Sequence, residues 1–152
     1  MTTLPALVLS LLPYLCFAPS PTPDVLLPGE IVAIPFDAST RHVAVEVSID
    51  GKGPYRFQVD TYASIDACID DDVARELGLE VVRTVNNSDG RTTRKRDVVR
   101  IGEIALGGAR FRNLDALVDD YDWIASGERA VDGLIGFSAF RDLLVTFDYP
   151  ES

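Results

Sequence analysis

Alternating apolar and polar residues near the start of the chain predict a β-hairpin. In residues 41–49 (RHVAVEVSI), the three valines and Ile49 fall on one face of a strand, and His42, Ala44, Glu46 and Ser48 fall on the other. The segment DGKGP at 50–54 begins with Asp-Gly, which favours a tight hairpin turn. Residues 55–60 (YRFQVD) return as the partner strand, and the apolar run at 31–36 (IVAIPF) predicts another strand before the hairpin.

Two short helices are predicted in the rest of the chain. The run DDVARELGL predicts one helix, with Asp70 or Asp71 as its N-cap and Gly78 at its end. The run SAFRDL at 138–143 predicts one or two helical turns capped by Ser138.

Short apolar runs separated by turn residues predict the remaining strands. They lie at 81–85, on both sides of Gly107-Gly108, and at 114–118, 131–136 and 144–150, with a hairpin tip at 86–90 (NNSDG). Many short strands with frequent turns predict an all-β fold, either a small barrel or a sandwich, with one or two short helices.

The first 18 residues form an apolar leader. The apolar run from Leu4 to Ala18 is about 15 residues long, which is short for a transmembrane helix and typical of a signal peptide. We therefore expect an exported protein, periplasmic or secreted, with no stable membrane insertion beyond this leader. The leader is either cleaved after Ala18 or kept as a tether, and a misassigned start codon is the remaining alternative.

The domain is assigned to residues 31–152. Residues 19–30 are rich in proline and predict an extended linker between the leader and this domain. The last predicted strand, at 144–150, is followed by two residues, and a domain truncated at its C-terminus is one alternative.

Composition and charge limit the classes of function that fit the sequence. Of the 152 residues, 47% are hydrophobic, which is enough for the core of one domain. The net charge of −10, from 24 acidic and 14 basic residues, argues against a nucleic-acid partner. Without Cys16 in the leader, Cys68 is a single cysteine that cannot form an internal disulfide, and with one histidine it makes no metal site. We expect neither a metal nor another cofactor.

The stretch FQVDTYASID at 57–66 ends an apolar strand on Asp60. Taken alone, this carboxylate has two interpretations: it caps the turn after the strand, as Asp-Thr commonly does, or it is a catalytic group. The surrounding segments favour the second interpretation.

Three segments in order resemble the retropepsin-like aspartic proteases, including their bacterial single-domain relatives. FQVDTYASIDACIDDDVARELGL resembles the family's strand, Asp-Thr-Gly-Ala-Ser loop, short strand and helix. VVRIGEIALGGARFRNLDALV resembles its central hairpin, and VDGLIGFSAFRDLLVTFDYP resembles its apolar pair, glycine, short helix and final strand. The resemblance runs from about residue 31 to about residue 150 and implies a small closed β-barrel.

The resemblance also implies an aspartic endopeptidase. In such an enzyme, a water activated between two Asp carboxylates hydrolyses the peptide bond, and the two carboxylates share one proton because each charge opposes the other. This chain has one such loop. The resemblance therefore implies a homodimer, with one Asp60 from each copy at the twofold axis and a peptide or protein as substrate.

Other roles in the loop follow from the same resemblance. Thr61 resembles the threonine whose hydroxyl braces the two loops across the dimer, and it is assigned to the catalytic set with Asp60. Ala63 stands where a small residue allows close approach, Ser64 would lie at the edge of the substrate groove, and both are assigned to the substrate-binding set. Gly136 resembles the glycine packed beneath the loop.

Residues 84–93 (TVNNSDGRTT) have the position of the flap that closes over the substrate, so Asn87 and Ser88 are predicted to bind it. The basic run RTTRKR at 91–96 is either a solvated hairpin edge or a site that selects acidic substrates.

Tyr62 departs from the family pattern, which has glycine at this position. Its ring, predicted to contact substrate, would block the groove, or turn away and leave a narrowed working site, or mark a domain that kept the fold and lost catalysis. If residue 62 had a positive φ, replacement by glycine would relieve strain and be neutral or stabilising.

The leading hypothesis is an exported aspartic endopeptidase. The alternative is a catalytically inactive domain of the same family that binds peptides or dimerises, and the third is a structural β-domain without a groove. Tyr62 is the residue that separates the first two.

Overall fold

The protein is described by a computed structural model that covers residues 23–37, 42–88, 91–121 and 130–149. The strands of this part are β1 (Asp24–Leu26), β2 (Ala44–Ile49), β3 (Lys52–Asp60), β4 (Ala67–Asp70), β5 (Val81–Ser88), β6 (Thr93–Leu106), β7 (Ala109–Asp119) and β8 (Gly133–Gly136). The helices are α1 (Asp71–Leu77) and a 3₁₀ helix (Phe137–Phe140).

Within this part of the chain, six strands close into a barrel. Their order is β7, β4, β8, β3, β2 and β6, and β6 pairs again with β7. Strand β1 adds to the outside of β7, and β5 adds to the outside of β6. The predicted all-β barrel with short helices is therefore confirmed.

The hairpin of β2 and β3 forms where the alternating pattern predicts it. Val45, Val47 and Ile49 are buried, as the pattern requires. Asp50 and Gly51 both have positive φ, 49° and 78°, as a tight two-residue turn needs. The Asp50 carboxylate accepts a hydrogen bond from the Glu103 amide at 2.8 Å, which ties the turn to β6.

The barrel interior is filled by large apolar side chains from most of the strands. Those with almost no exposed surface are Phe57, Phe111, Ile49, Ile69, Ile101, Ile104, Leu114, Ile135 and Val99. Phe111 also meets Phe140 of the 3₁₀ helix edge to face, with ring centroids 5.5 Å apart. The 3₁₀ helix is thus anchored to the core just beyond β8.

Helix α1 begins and ends as predicted. The Asp70 carboxylate accepts a hydrogen bond from the Asp72 amide at 3.0 Å, so Asp70 is the N-cap. Gly78 ends the helix in the left-handed region with φ of 67°. In the 3₁₀ helix, by contrast, the N-cap is Gly136 and has no side-chain cap, so the prediction that Ser138 caps it is wrong.

Two predicted strands are absent from the described structure. Residues 31–36 and 144–149 have no regular secondary structure, and the nearest pairing is one isolated bridge between Asp37 and Ala44. A strand needs a neighbour that shares its backbone hydrogen bonds, and no described strand pairs with these two segments. They line an apolar groove of about 1200 Å³, where Phe36 packs against Tyr149 with ring centroids 5.4 Å apart.

Three other segments differ from the sequence-based expectation. The stretch predicted as a linker contributes β1, whose Val25 lies opposite Phe111 of β7. Residues 114–118 continue β7 instead of forming a separate strand, because they keep pairing with β6 and β4; Asn113 has a positive φ of 58° within the strand. Residues 86–88 of the predicted hairpin tip belong to β5, and residues 89–90 lie outside the described residues.

The predicted leader, residues 1–18, also lies outside the described residues. Among the residues that are described, no helix is long and apolar enough to span a membrane.

Candidate active site

Asp60 is the last residue of β3, at the edge where β3 ends beside β8. The two strands run parallel, and Asp60 lies opposite Gly136. The carboxylate is half-buried at this strand end. The apolar strand therefore delivers an ionisable group to the rim of the barrel.

A tight turn after β3 fixes the orientation of the Asp60 carboxylate. Its Oδ1 accepts a hydrogen bond from the Tyr62 amide at 2.9 Å. The Asp60 carbonyl accepts a second bond from the Ala63 amide at 3.3 Å. This is the local turn chemistry that Asp favours, so the turn and the catalytic interpretations of Asp60 coexist.

Backbone hydrogen bonds join the loop to the end of β8. The Phe137 amide donates to the Ala63 carbonyl at 2.8 Å, and the Gly136 amide donates to the Asp66 carbonyl at 2.9 Å. A Cβ at residue 136 would lie 2.2 Å from the Ile65 carbonyl oxygen and 2.8 Å from that of Ala63. Gly136 is therefore packed directly against the loop, where the resemblance places it.

Thr61, Tyr62 and Ser64 are exposed in the single chain, and Ala63 is half-buried. Tyr62 is 96% exposed and is not among the described residues with positive φ. The condition under which replacement by glycine is expected to relieve strain is therefore not met, and the side chain of Tyr62 is almost fully open to solvent.

A second apolar cluster lies on the same side of the barrel as the loop. Its members are Cys68, Val98 and Leu117, with Ile65, Val85, Tyr121 and Leu134 packed against them. Burial raises the pKa of the Cys68 thiol to about 11, and burial also raises the pKa of Tyr121. A thiol needs to ionise to act as a nucleophile, so Cys68, with its raised pKa, acts as an apolar member of this cluster at neutral pH.

Two buried carboxylates behind the loop escaped the sequence-based assignment. Asp66 accepts a hydrogen bond from the Asp115 amide at 3.3 Å. The Asp115 carboxylate pairs with Arg83 and, at 2.7 Å, with Arg100, whereas Asp66 lies 3.9 Å from Arg141. For Asp66 the signal in the sequence is an acid in an apolar run, IDACI, but its partners are distant along the chain, in β7 and at the end of the 3₁₀ helix.

Burial raises the pKa of Asp66 above the usual range for Asp. The hydrogen bond from the Asp115 amide and the charge of Arg141 act in the opposite direction but do not cancel the effect of burial. The carboxyl at the end of the loop thus favours its neutral form more than an exposed Asp does.

The predicted flap is the hairpin of β5 and β6. Asn87 lies opposite Arg94, and Ser88 lies opposite Thr93. Because successive side chains alternate, Asn87 shares a face with Val85, which packs in the second apolar cluster. Ser88 lies on the other face of the hairpin, so the register places Asn87, and not Ser88, on the same face as Val85 and the second apolar cluster.

Comparisons with known proteins agree with this geometry. A family profile described as aspartyl protease matches residues 45–139. This is more than half of the chain, so the protein belongs to this aspartyl protease family, and the predicted resemblance is confirmed.

Among solved structures, the chain is similar to a retropepsin-like aspartic protease from Rickettsia conorii. The two share 20% sequence identity with a TM-score of 0.50, over 79% of this chain and 82% of that one. At this identity the similarity supports the fold. No curated protein matches the sequence significantly.

Proposed function

We propose that the protein is an aspartic endopeptidase that works as a homodimer. The observation that carries the proposal is the fixed loop: Asp60 ends β3 with its carboxylate held by the Tyr62 amide, over a glycine packed beneath the loop. Membership of an aspartyl protease family supports the same chemistry. We also propose that the N-terminal leader directs export of the protein.

The reaction needs both an acid and a base. The ionised carboxylate of one Asp60 takes a proton from water, whose oxygen attacks the carbonyl carbon of the peptide bond. The protonated carboxylate of the second Asp60 gives its proton to the carbonyl oxygen. Proton transfer to the amide nitrogen then allows the carbon–nitrogen bond to break. Activity should therefore fall both where the two groups are protonated and where both are ionised.

The second carboxylate comes from another copy of the chain in this proposal. The described residues contain one Asp-Thr loop at a strand end, so a single barrel supplies half of the pair. Thr61, Tyr62 and Ser64 present an open surface beside Asp60. This surface is where the loop of the second copy would approach.

Mixing experiments with Asp60→Asn test the shared site. The variant alone should lose peptidase activity by several orders of magnitude and fold normally. Added to wild-type protein in equal amount, after subunit exchange, it should reduce activity per wild-type chain to about half, because mixed dimers have one carboxylate. Asp72→Asn, on the exposed surface of α1, is the matched control and should leave activity unchanged.

If the added variant leaves wild-type activity unchanged, the site is contained in one chain and the proposal of a shared pair is wrong. If Asp60→Asn is as active as wild type, the chemistry lies elsewhere. Activity per chain that stays constant on dilution, in protein shown to be monomeric, would also contradict the dimer.

An inactive peptide-binding domain is the second candidate, and Tyr62 is the observation that favours it. The ring stands at a position where the family pattern has glycine, beside the carboxylate, and it is almost fully exposed. This candidate predicts peptide binding without cleavage at any pH.

A further inference from the structure

The hairpin of β5 and β6 carries a concentration of positive charge on an acidic protein. Residues 91–96 (RTTRKR) hold four of the 14 basic residues of a chain whose net charge is −10. A general attraction of the protein for acidic peptides is not expected from that net charge. Any such attraction has to come from a local group.

The strand register divides this charge between two faces. Arg94 lies opposite Asn87, and Arg96 lies opposite Val85. Directly opposed residues of an antiparallel pair share a face, so these side chains lie on one side of the hairpin. Lys95 lies opposite Asn86 on the other side.

The face with Arg94 and Arg96 is the one turned to the catalytic loop. Val85 and Val98 of this face pack in the second apolar cluster, together with Ile65 of the loop. The other face is marked by the hydrogen bond between Thr84 and Asp97, at 2.7 Å. The two faces are therefore chemically distinct, and one of them is the inner face of the flap.

Arginines on the inner face have acidic partners on β7 as long as β7 runs beside them. Arg100 pairs with Asp115 at 2.7 Å, and Arg96 pairs with Asp119 at 2.6 Å. Strand β7 ends at Asp119, so the next arginine along this face, Arg94, lies beyond the acidic positions of β7. Among the described residues Arg94 is exposed and forms no ion pair.

We infer that Arg94, with the Asn87 amide beside it, binds an acidic side chain of the peptide that the flap covers. This inference rests on the proposed function, because it places the substrate between the hairpin and the Asp60 loop. A guanidinium group binds a carboxylate through two parallel hydrogen bonds, and the Asn87 side chain adds a further donor. The substrate class is thus peptides with Asp or Glu near the scissile bond.

Neighbouring residues provide a matched pair of variants. Arg94→Gln removes one positive charge from the inner face, and Lys95→Gln removes one from the outer face. Both side chains are exposed and lie on the same strand, so general electrostatic effects of the two changes should be alike. Neither residue belongs to the Asp60 loop.

Binding and cleavage are measured with the full chain and a positional-scanning peptide library, in which each position in turn is fixed as Glu or as Gln. Binding is measured with Asp60→Asn, and cleavage with the wild-type active site. At one position, Glu should be preferred over Gln by about threefold to tenfold, the range for an accessible charged hydrogen bond. Arg94→Gln should abolish this preference, and Lys95→Gln should keep most of it.

An equal effect of the two variants would show a general charge effect and overturn the inference, as would no effect of either or no binding of any peptide. Cleavage without a preference for Glu would overturn the inference and leave the proposed peptidase standing. Binding of Glu peptides through Arg94 without cleavage would support the inference and reject the peptidase.

Discussion

Tyr62→Gly restores the family pattern at the one loop position where this chain departs from it, and its effect on stability follows from the structure. Tyr62 is 96% exposed, so loss of the ring removes almost no packing. The hydrogen bond that its backbone amide donates to Asp60 Oδ1 can be kept by every residue except proline. Its φ is not positive, so glycine has no strain to relieve.

The remaining contribution to the change in stability is the conformational entropy of the unfolded chain. Glycine at residue 62 should destabilise the protein by about 0.5–1 kcal/mol relative to Tyr62→Ala. Tyr62→Ala itself should lie within about 0.5 kcal/mol of wild type, as for other exposed positions. For a chain of this size, 1 kcal/mol corresponds to a change in Tm of about 2–4 °C.

The assay is urea or thermal unfolding of all three proteins, at a chain concentration where sedimentation shows monomers. Tyr62→Gly that is more stable than Tyr62→Ala would show strain at residue 62 and refute the reasoning. A loss above about 1.5 kcal/mol in Tyr62→Ala would show that the ring is packed and not exposed. Peptide cleavage is measured in parallel: a rise in Tyr62→Gly identifies the ring as a brake on the site, and no change identifies it as tolerated.

Two further changes test the support of the loop. Gly136→Ala should lower the free energy of unfolding by about 1–3 kcal/mol and lower peptidase activity, because its Cβ would meet the Ile65 carbonyl oxygen at 2.2 Å. Gly29→Ala is the control, because a Cβ there would have no atom within 4 Å. Equal unfolding curves for the two variants would contradict the close packing at Gly136. The folded state raises the pKa of Asp66, so it binds the Asp66 proton more tightly than the unfolded chain does. The wild-type protein therefore loses stability as pH rises above the usual pKa of Asp and this proton is released. Asp66→Asn has no such proton, so it should become more stable relative to wild type over the same pH range. Unfolding curves from acid to neutral pH measure this difference, and a difference that does not vary with pH would show that Asp66 ionises as it does in the unfolded chain.

The features predicted correctly from sequence depend on neighbours along the chain. The hairpin turn follows from Asp50-Gly51, and helix α1 follows from an Asp N-cap and a glycine stop. These residues act on the backbone within four positions of themselves, so a single sequence contains the information needed.

Several features that the sequence analysis mispredicted or missed depend on distant partners. Residues 31–36 and 144–149 have apolar sequences typical of strands, but no described strand pairs with them. The hydrogen bond from the Asp115 amide to the Asp66 carboxylate joins residues that are 49 positions apart, and no local pattern predicts it. The two faces of the β5–β6 hairpin likewise follow from the register between β5 and β6 and not from the basic run itself.

The two glycine positions of the family pattern have different status in this fold. A side chain at residue 136 would collide with the backbone of the loop that carries Asp60, so glycine there is required for the site to form. A side chain at residue 62 meets no such obstacle, because the backbone has an ordinary φ and the ring is open to solvent. The barrel can therefore keep the Asp60 loop intact with tyrosine at residue 62. In the proposed mechanism, an effect of Tyr62 would come from its contacts with the second copy of the chain or with the peptide.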